Sequence, residues 1–172
     1  RRPLLKRQTQ PEACARCHSR RAATTDDYPY GRPLLDTHRL ALIEPNRYFP
    51  DGQILDEVYV YGSFLQSRMY QAGVECTDCH HPHSAELKAQ GDAVCAQCHL
   101  PSRFAGPEHH RHETAEVACV DCHMTERNYM VVDGRRDHSF RVPRPDLSET
   151  LESPNACSGC HQDKDAGWAS AR

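Results

Sequence analysis

Five copies of the motif Cys-x-x-Cys-His use every cysteine in this chain. The chain has 172 residues and 10 cysteines. The motifs are Cys14, Cys17 and His18; Cys76, Cys79 and His80; Cys95, Cys98 and His99; Cys119, Cys122 and His123; and Cys157, Cys160 and His161. A pair of thiols followed at once by an imidazole constrains the fold and the chemistry of this chain more than any other feature.

Three chemistries use closely spaced cysteines. A disulfide framework favours an even cysteine count but gives no reason for a histidine after each pair. Zinc sites combine two Cys-x-x-Cys knuckles, or one knuckle with a histidine pair, and five identical units do not divide in that way. Attachment of c-type haem needs two thiols for thioether bonds and an adjacent histidine as axial ligand. We therefore predict five covalently bound haem c groups.

Seven histidines lie outside the motifs, and five of them are needed if each iron has two histidine ligands. His81 follows a motif histidine directly and is expected to be spare. Clustered histidines also suggest zinc or copper, but ligation of two haems is the simpler interpretation. The predicted distal ligands are His38, His83, His138 and two of the three histidines His109, His110 and His112, with the choice among these three left open. Two histidines per iron leave no coordination position for a substrate.

The composition predicts a small protein core. Hydrophobic residues make up 38% of the chain, which is low for a globular domain. Only fourteen residues separate His80 from Cys95, so two haems must lie close together. We predict a mainly α fold with much irregular structure, in which short helices and loops wrap around a stack of five c-type haems. The protein without haem should be unfolded.

The chain is predicted to have an extended basic arm at residues 1–11, a pentahaem cytochrome domain at 12–165 and a C-terminal tail at 166–172. A helix is expected from Asp56, as its cap, to Gly73. Asp92 is expected to cap the helix that carries the third motif. Arg135 and Arg136 are candidates to pair with haem propionates.

Charge and hydropathy limit which partners and which cellular locations the sequence is compatible with. The net charge of −3 becomes more negative with bound haem, which argues against nucleic acid as a partner. No apolar run is long enough for membrane insertion. The chain begins at Arg1 rather than Met, and haem attachment takes place outside the cytoplasm. We therefore expect that a signal peptide was removed and that the protein is periplasmic or extracellular.

Several segments are similar, in order, to one known family. They are CARCHSRR, DGQILDEVYVYGSFLQSRMYQAGVECTDCHHPHS, CAQCH, CVDCHM, RRDHSFRVPRPDLS and PNACSGCH. These segments resemble the multihaem cytochrome region of bacterial proteins that carry tetratricopeptide repeats behind it. That family looks related to the group of nitrite reductases and hydroxylamine oxidoreductase. The resemblance implies electron transfer, but the Cys-x-x-Cys-Lys motif of the reductases is not in this sequence.

We therefore expect an electron carrier rather than an enzyme. Its expected partners are other redox proteins or copies of itself, and such copies would form an extracellular conductive filament. One alternative is a nitrite- or hydroxylamine-type oxidoreductase in which one haem lacks its distal histidine. Another alternative is an electron-transfer module of a larger scaffold protein.

Overall fold

The computed structural model describes residues 9–113 and 117–172. In chain order, the helices are α1 (Thr9–His18), α2 (Tyr61–Gln66), α3 (Arg68–Ala72), α4 (Cys76–Cys79), α5 (Ala93–Ala96), α6 (Pro101–Phe104), α7 (Pro107–His110), α8 (Cys119–His123), α9 (Asp146–Leu151), α10 (Cys157–Cys160) and α11 (Ala166–Ser170). The expectation of short helices joined by irregular loops is confirmed. Within the described ranges, no helix has the length and apolar character that a membrane crossing requires.

Two antiparallel hairpins connect these helices in the described part of the chain. The strands are β1 (Arg21–Ala23), β2 (His38–Leu40), β3 (Glu126–Tyr129) and β4 (Asp133–Arg136). β1 pairs with β2, and Ala23 lies opposite His38. β3 pairs with β4, and Glu126 lies opposite Arg136. His138 follows β4 by two residues, so the second hairpin sets the position of this candidate ligand.

Among the described residues, six of the buried apolar side chains form two small clusters. The first contains Ala15, Leu34 and Tyr61, and the second contains Tyr48, Ile54 and Val58. Among the described residues, eight apolar side chains are buried, whereas thirteen large apolar side chains are exposed. The polypeptide therefore buries little apolar surface by itself, and burial of apolar surface is the main favourable term in folding.

The helix predicted from Asp56 to Gly73 is shorter than expected, and it is broken. It starts at Tyr61, as α2, with Val60 rather than Asp56 at the cap position, and Ser67 interrupts it with an extended backbone (φ −73°, ψ 146°) before α3 begins. The Ser67 hydroxyl accepts a hydrogen bond from the Tyr70 N–H at 3.0 Å, which caps α3. The predicted end at Gly73 is confirmed by its left-handed φ of 92°.

Asp56 does not cap the helix, because two arginines bind its carboxylate. Arg20 donates to this carboxylate at 2.5 Å and Arg47 at 2.7 Å. A hydrogen bond from the Glu57 backbone and those from the two arginines hold the pKa of Asp56 below its usual value. The carboxylate thus joins the end of the first motif to the segment that leads into α2.

The predicted terminal regions have two different outcomes. Residues 166–172, predicted as a tail, contain α11, which packs against α9 and is capped by Asp165 through a 2.7 Å hydrogen bond from the Trp168 N–H. Residues 1–8 of the predicted basic arm lie outside the described residues, and Thr9–Pro11 belong to α1. The proposed division into domains stays a prediction.

Substitution of Gly62 by alanine should destabilise the protein. A Cβ at this position would lie 2.2 Å from the phenolic oxygen of Tyr48, whose ring is only 4% exposed and cannot move freely. We expect a loss of about 1–3 kcal/mol, which is the usual cost of overpacking. The measurement is the thermal unfolding midpoint of the haem-loaded protein.

Gly167→Ala is the matched control in another helix. Its Cβ would meet the nearest side-chain atom at 3.6 Å, which is ordinary contact, and alanine favours helix. Equal midpoints for the two variants would contradict this account of the packing around Tyr48.

Candidate metal centres

Each motif folds into a tight helical turn that places its histidine beside its two thiols. Cysteines three residues apart lie on the same face of such a turn. The backbone N–H of His80 donates to the carbonyl of Cys76 at 2.9 Å, and His99 bonds to Cys95 in the same way. The fifth motif repeats this bond at 2.9 Å. The sequence spacing thus becomes a repeated local geometry.

Three motif histidines face a histidine from outside the motifs. The pairs are His80 with His138, at 6.4 Å between ring centres and 27° between ring planes; His109 with His123, at 5.9 Å and 17°; and His112 with His161, at 6.0 Å and 21°. These distances are too long for direct stacking contact and nearly equal to one another. They match two imidazoles that bind one iron from opposite sides at about 2 Å each, which puts the ring centres roughly 6 Å apart.

Backbone carbonyls fix the orientation of these rings. The Nδ1 atom of His80 bonds to the carbonyl oxygen of Ala85 at 2.9 Å, and His138 bonds to Arg136 at 2.9 Å. His123 bonds in the same way to Arg141 at 2.7 Å. A carbonyl accepts only, so each Nδ1 carries the proton and Nε2 keeps its lone pair for a metal.

Burial favours the neutral form of His138. The residue is partly buried, and this burial together with the facing His80 imidazole lowers the pKa of His138. Metal binding needs a neutral imidazole. The environment of this ring therefore suits a ligand.

In the cluster of three histidines, His109 and His112 each face a motif histidine, whereas both ring nitrogens of His110 make other hydrogen bonds. His110 donates from Nε2 to the Ala105 carbonyl oxygen at 3.2 Å and accepts the His112 backbone N–H at Nδ1, also at 3.2 Å. Both nitrogens of His110 are thus occupied, although its ring centre is 6.0 Å from that of His112. His112 turns its Nδ1 to the His110 carbonyl oxygen at 2.5 Å. Within the described ranges, no three metal-binding side chains converge on one point.

Arg111 allows His109 and His112 to face different motifs. It ends α7 in the left-handed conformation, with φ 63° and ψ 18°. This conformation is unfavourable for a residue with a side chain. It reverses the chain direction, so that His109 lies against the fourth motif and His112 against the fifth.

The remaining histidine candidates have other surroundings. His38 is near Tyr28, and its Nδ1 lies 2.8 Å from the Thr37 hydroxyl. His81 and His83 are exposed. Among the described residues, the structure does not bring His38 or His83 to face the ring of His18 or His99. The roles of His38 and His83 as ligands therefore stay predictions.

Thiols from successive motifs lie close together. No two of the ten cysteines form a disulfide. Cys14 and Cys76 are hydrogen-bonded, which lowers the pKa of Cys14 to about 7 and raises that of Cys76. Cys95 and Cys119 make a second such contact, and burial raises the pKa of Cys119 to about 12. The first motif thus adjoins the second, and the third adjoins the fourth.

The other successive motifs are also neighbours. The thiol of Cys79 lies near those of Cys95 and Cys98, and burial is the main cause of its raised pKa. Cys122 lies in the same way near Cys157 and Cys160 of the fifth motif. The five motifs are therefore arranged in space in the order in which they occur along the chain.

Two polar side chains hold motifs together through contacts that the sequence did not predict. Gln10 donates to the Thr77 hydroxyl at 2.8 Å and accepts the Thr77 N–H at 2.9 Å. Asp92 accepts the Cys119 N–H at 3.0 Å. Asp92 was expected to cap its own helix, but its side chain makes no such bond. No local pattern indicates these partners, because they lie 67 and 27 residues away.

The two arginines considered as partners for propionates contact protein carboxylates, and their pairing with propionates stays a prediction. Arg135 bonds to Glu57 and, at 2.5 Å, to Asp133. Arg136 lies 3.6 Å from Asp121. The sequence showed the charge of these guanidinium groups but not the acids that the fold brings to them.

Trp168 lies against the histidine of the fifth motif. The ring centres of Trp168 and His161 are 4.8 Å apart, and the guanidinium of Arg172 lies 5.1 Å from the indole centre. A single tryptophan in a predicted tail carries no spacing signal, so the sequence alone indicates no role for Trp168. The contact shows that α11 covers one side of this candidate centre.

Comparison with known proteins supports a class. A family model described as "Doubled CXXCH motif" matches residues 69–104, and no curated protein matches this chain. The fold is similar to the crystal structure of outer cell wall cytochrome OcwA, with a TM-score of 0.69, 18% identity, and coverage of 94% of this chain and 50% of that chain. This chain thus spans half the length of that solved chain. Together, the motifs and the fold support a multihaem c-type cytochrome, a class that implies electron transfer.

Replacement of Gln10 by alanine should loosen the contact between the first two motifs. The change removes both hydrogen bonds to Thr77, and each such bond contributes about 1 kcal/mol. We expect a lower midpoint of thermal unfolding with the same haem content, measured by absorbance of the haem-loaded protein. Gln90→Ala removes an exposed glutamine and should leave the midpoint unchanged. If both variants melt like the parent protein, Gln10 does not stabilise this contact.

Proposed function

We propose that this protein is a pentahaem c-type cytochrome that carries electrons. The observation that carries the proposal is the set of three facing imidazole pairs, each of which joins a motif histidine to a histidine from another segment. Chance packing gives no reason for one motif member in every pair. Two histidines on one iron are the arrangement of an electron-transfer haem rather than of an open catalytic one.

The residues present fit the predicted haem groups. In each motif the two thiols would form the thioether bonds, and the adjacent imidazole would bind the iron through Nε2. The haem supplies an iron that accepts and releases one electron, and the protein supplies binding, orientation and electrostatics. The hydrogen bonds from Nδ1 to backbone carbonyls hold the imidazole rings in place.

The facing pairs support a ligand assignment. His138 is the proposed distal ligand at the second motif, His109 at the fourth and His112 at the fifth. His38 and His83 are the proposed ligands for the two remaining motifs, the first and the third. His110 and His81 are proposed to be spare, which fits the two occupied ring nitrogens of His110.

The contacts between motifs support a linear order of haems. Each motif adjoins the next one in the chain, so neighbouring haems would be close and their order would follow the sequence. An electron would then travel between the first and the fifth motif along a single line. The short connections, such as the fourteen residues between His80 and Cys95, keep this line compact.

The proposed partners are other redox proteins or copies of this chain. The proposed location is periplasmic or extracellular. The similar solved structure is titled an outer cell wall cytochrome, which supports a location outside the cytoplasm. Thirteen large apolar side chains are exposed among the described residues, and they offer surface for contacts between copies, as in an extracellular conductive filament. Negative-stain microscopy across a concentration series tests this extension, and monomers throughout would remove the filament but not electron transfer.

Kinship with the cytochromes that precede tetratricopeptide repeats is part of the same proposal. The segments from CARCHSRR to PNACSGCH that resemble that family support it. The intact mass of the native gene product tests it, because helical repeats would add greatly to the mass. A native mass equal to that of this chain with its haems would contradict a larger scaffold.

The direct test of the function is a count of haems and electrons. We expect the intact mass of the purified protein to exceed that of the polypeptide by five haems. A reductive titration followed by haem absorbance should then consume five electrons per chain and reverse on oxidation. A smaller number of haems, or a reduction that cannot be reversed, would contradict an electron-carrying pentahaem protein.

Removal of His109 should change one iron, whereas removal of His110 should change none. In His109→Ala, the fourth motif loses its facing imidazole, so about one iron in five should become high-spin. In His110→Ala, all irons should stay low-spin. Low-temperature electron paramagnetic resonance measures the fractions. High-spin iron in both variants, or in neither, would contradict the ligand assignment.

A further inference from the structure

A solvent-connected pocket lies beside the fourth motif. Cys122 and His123 form part of its wall, and Gln53, Ser139 and Arg141 form other parts. The pocket also reaches the segment that precedes the fifth motif. It therefore lies where two of the proposed centres come together.

Two buried hydrogen-bond donors in this pocket have no acceptor among the described residues. They are the hydroxyl of Ser139 and the Nε of Arg141. Ser139 is only 5% exposed. A buried donor without a partner costs about 1–3 kcal/mol, and more for a charged group. Such groups are rare and call for a ligand or an ordered water.

Arg141 is held in this position from both ends. Its Nη2 donates to the side-chain oxygen of Gln66 at 3.1 Å. Its backbone carbonyl accepts the Nδ1–H of His123 at 2.7 Å, and its backbone N–H donates to the His123 carbonyl at 3.1 Å. The guanidinium group is thus fixed relative to a proposed iron ligand.

The acidic side chains of the pocket are bound elsewhere. Asp137 accepts the N–H groups of Ile54 at 3.2 Å and Ser139 at 2.7 Å. Asp51 accepts from Gln53 at 2.7 Å. The hydroxyl of Ser139 and the Nε of Arg141 therefore remain available for an acceptor that the polypeptide does not supply.

We propose that Ser139 and Arg141 form a carboxylate-binding site in this pocket. A carboxylate accepts hydrogen bonds only, and arginine with a hydroxyl matches its charge and its lone pairs. The carboxylate comes from a propionate of a neighbouring haem, so this proposal rests on the proposed function. A small carboxylate from solution has the same chemistry, and the experiment separates the two sources.

The test compares three variants of the haem-loaded protein. Arg141→Gln removes the charge, Ser139→Ala removes the hydroxyl, and Arg144→Gln is the matched control. Arg144 lines the same pocket, but its guanidinium is bound to Asp146 at 2.5 Å. Haem potentials are measured by spectroelectrochemistry in a buffer free of carboxylates and then with added acetate. Intact mass confirms five haems in each variant, and missing haems would count against the proposed function rather than against this site.

For a propionate, we expect Arg141→Gln to lower the potential of one haem without acetate, because loss of a cation favours the oxidised iron. Ser139→Ala should shift the same haem less. Arg144→Gln should shift none, because its guanidinium is largely exposed, where solvent screens its charge, and it already binds Asp146. Infrared difference spectra with ¹³C-labelled propionates should show a changed carboxylate band in Arg141→Gln. If the parent protein instead responds to acetate with saturation and Arg141→Gln does not, the site takes its carboxylate from solution. If neither variant shifts a potential in either buffer, the pocket holds only water and the proposal is overturned.

Discussion

The facing of two imidazole rings about 6 Å apart is the constraint on which the rest of this structure depends. Each of the three pairs combines a motif histidine with a histidine from a different segment, at 5.9 to 6.4 Å. The chain must therefore return to each motif from elsewhere. The hairpin of β3 and β4 brings His138 to the second motif, and the reversal at Arg111 directs two nearby histidines to two different motifs. Short helices and irregular loops follow from this requirement.

The polypeptide positions the motifs but forms only a small hydrophobic core of its own. In the part of the chain that the structure describes, six of the eight buried apolar side chains form two small clusters, and polar contacts over long sequence distances join the motifs. Gln10 and Asp92 hold successive motifs together, while Asp56 joins two arginines from different segments. Under this account, porphyrin surface would provide most of the remaining apolar contact. The protein side chains then set the spacing, the axial ligands and the local charge.

The sequence predicted a multihaem c-type cytochrome with short helices and irregular loops. This was possible because covalent haem attachment needs a fixed local spacing of cysteines and histidine, which the sequence shows directly. It left open which of His109, His110 and His112 are ligands. The three rings differ in orientation because of hydrogen bonds to Ala105 and to one another, which depend on the turn at Arg111. The prediction of one long helix after Asp56 was wrong, because Ser67 caps a second helix and Asp56 binds two arginines. Contacts such as Asp92 with Cys119 have no local signature, and Trp168 gave no periodic pattern.

The measurement that tests the central claim most directly is low-temperature electron paramagnetic resonance of the air-oxidised protein, integrated by spin state. It is repeated with nitrite, hydroxylamine and cyanide. The account predicts that all five irons are low-spin and that none responds to the added ligands. A high-spin signal from about one iron in five that changes on ligand addition would contradict it, and that iron would then be an open site for a substrate.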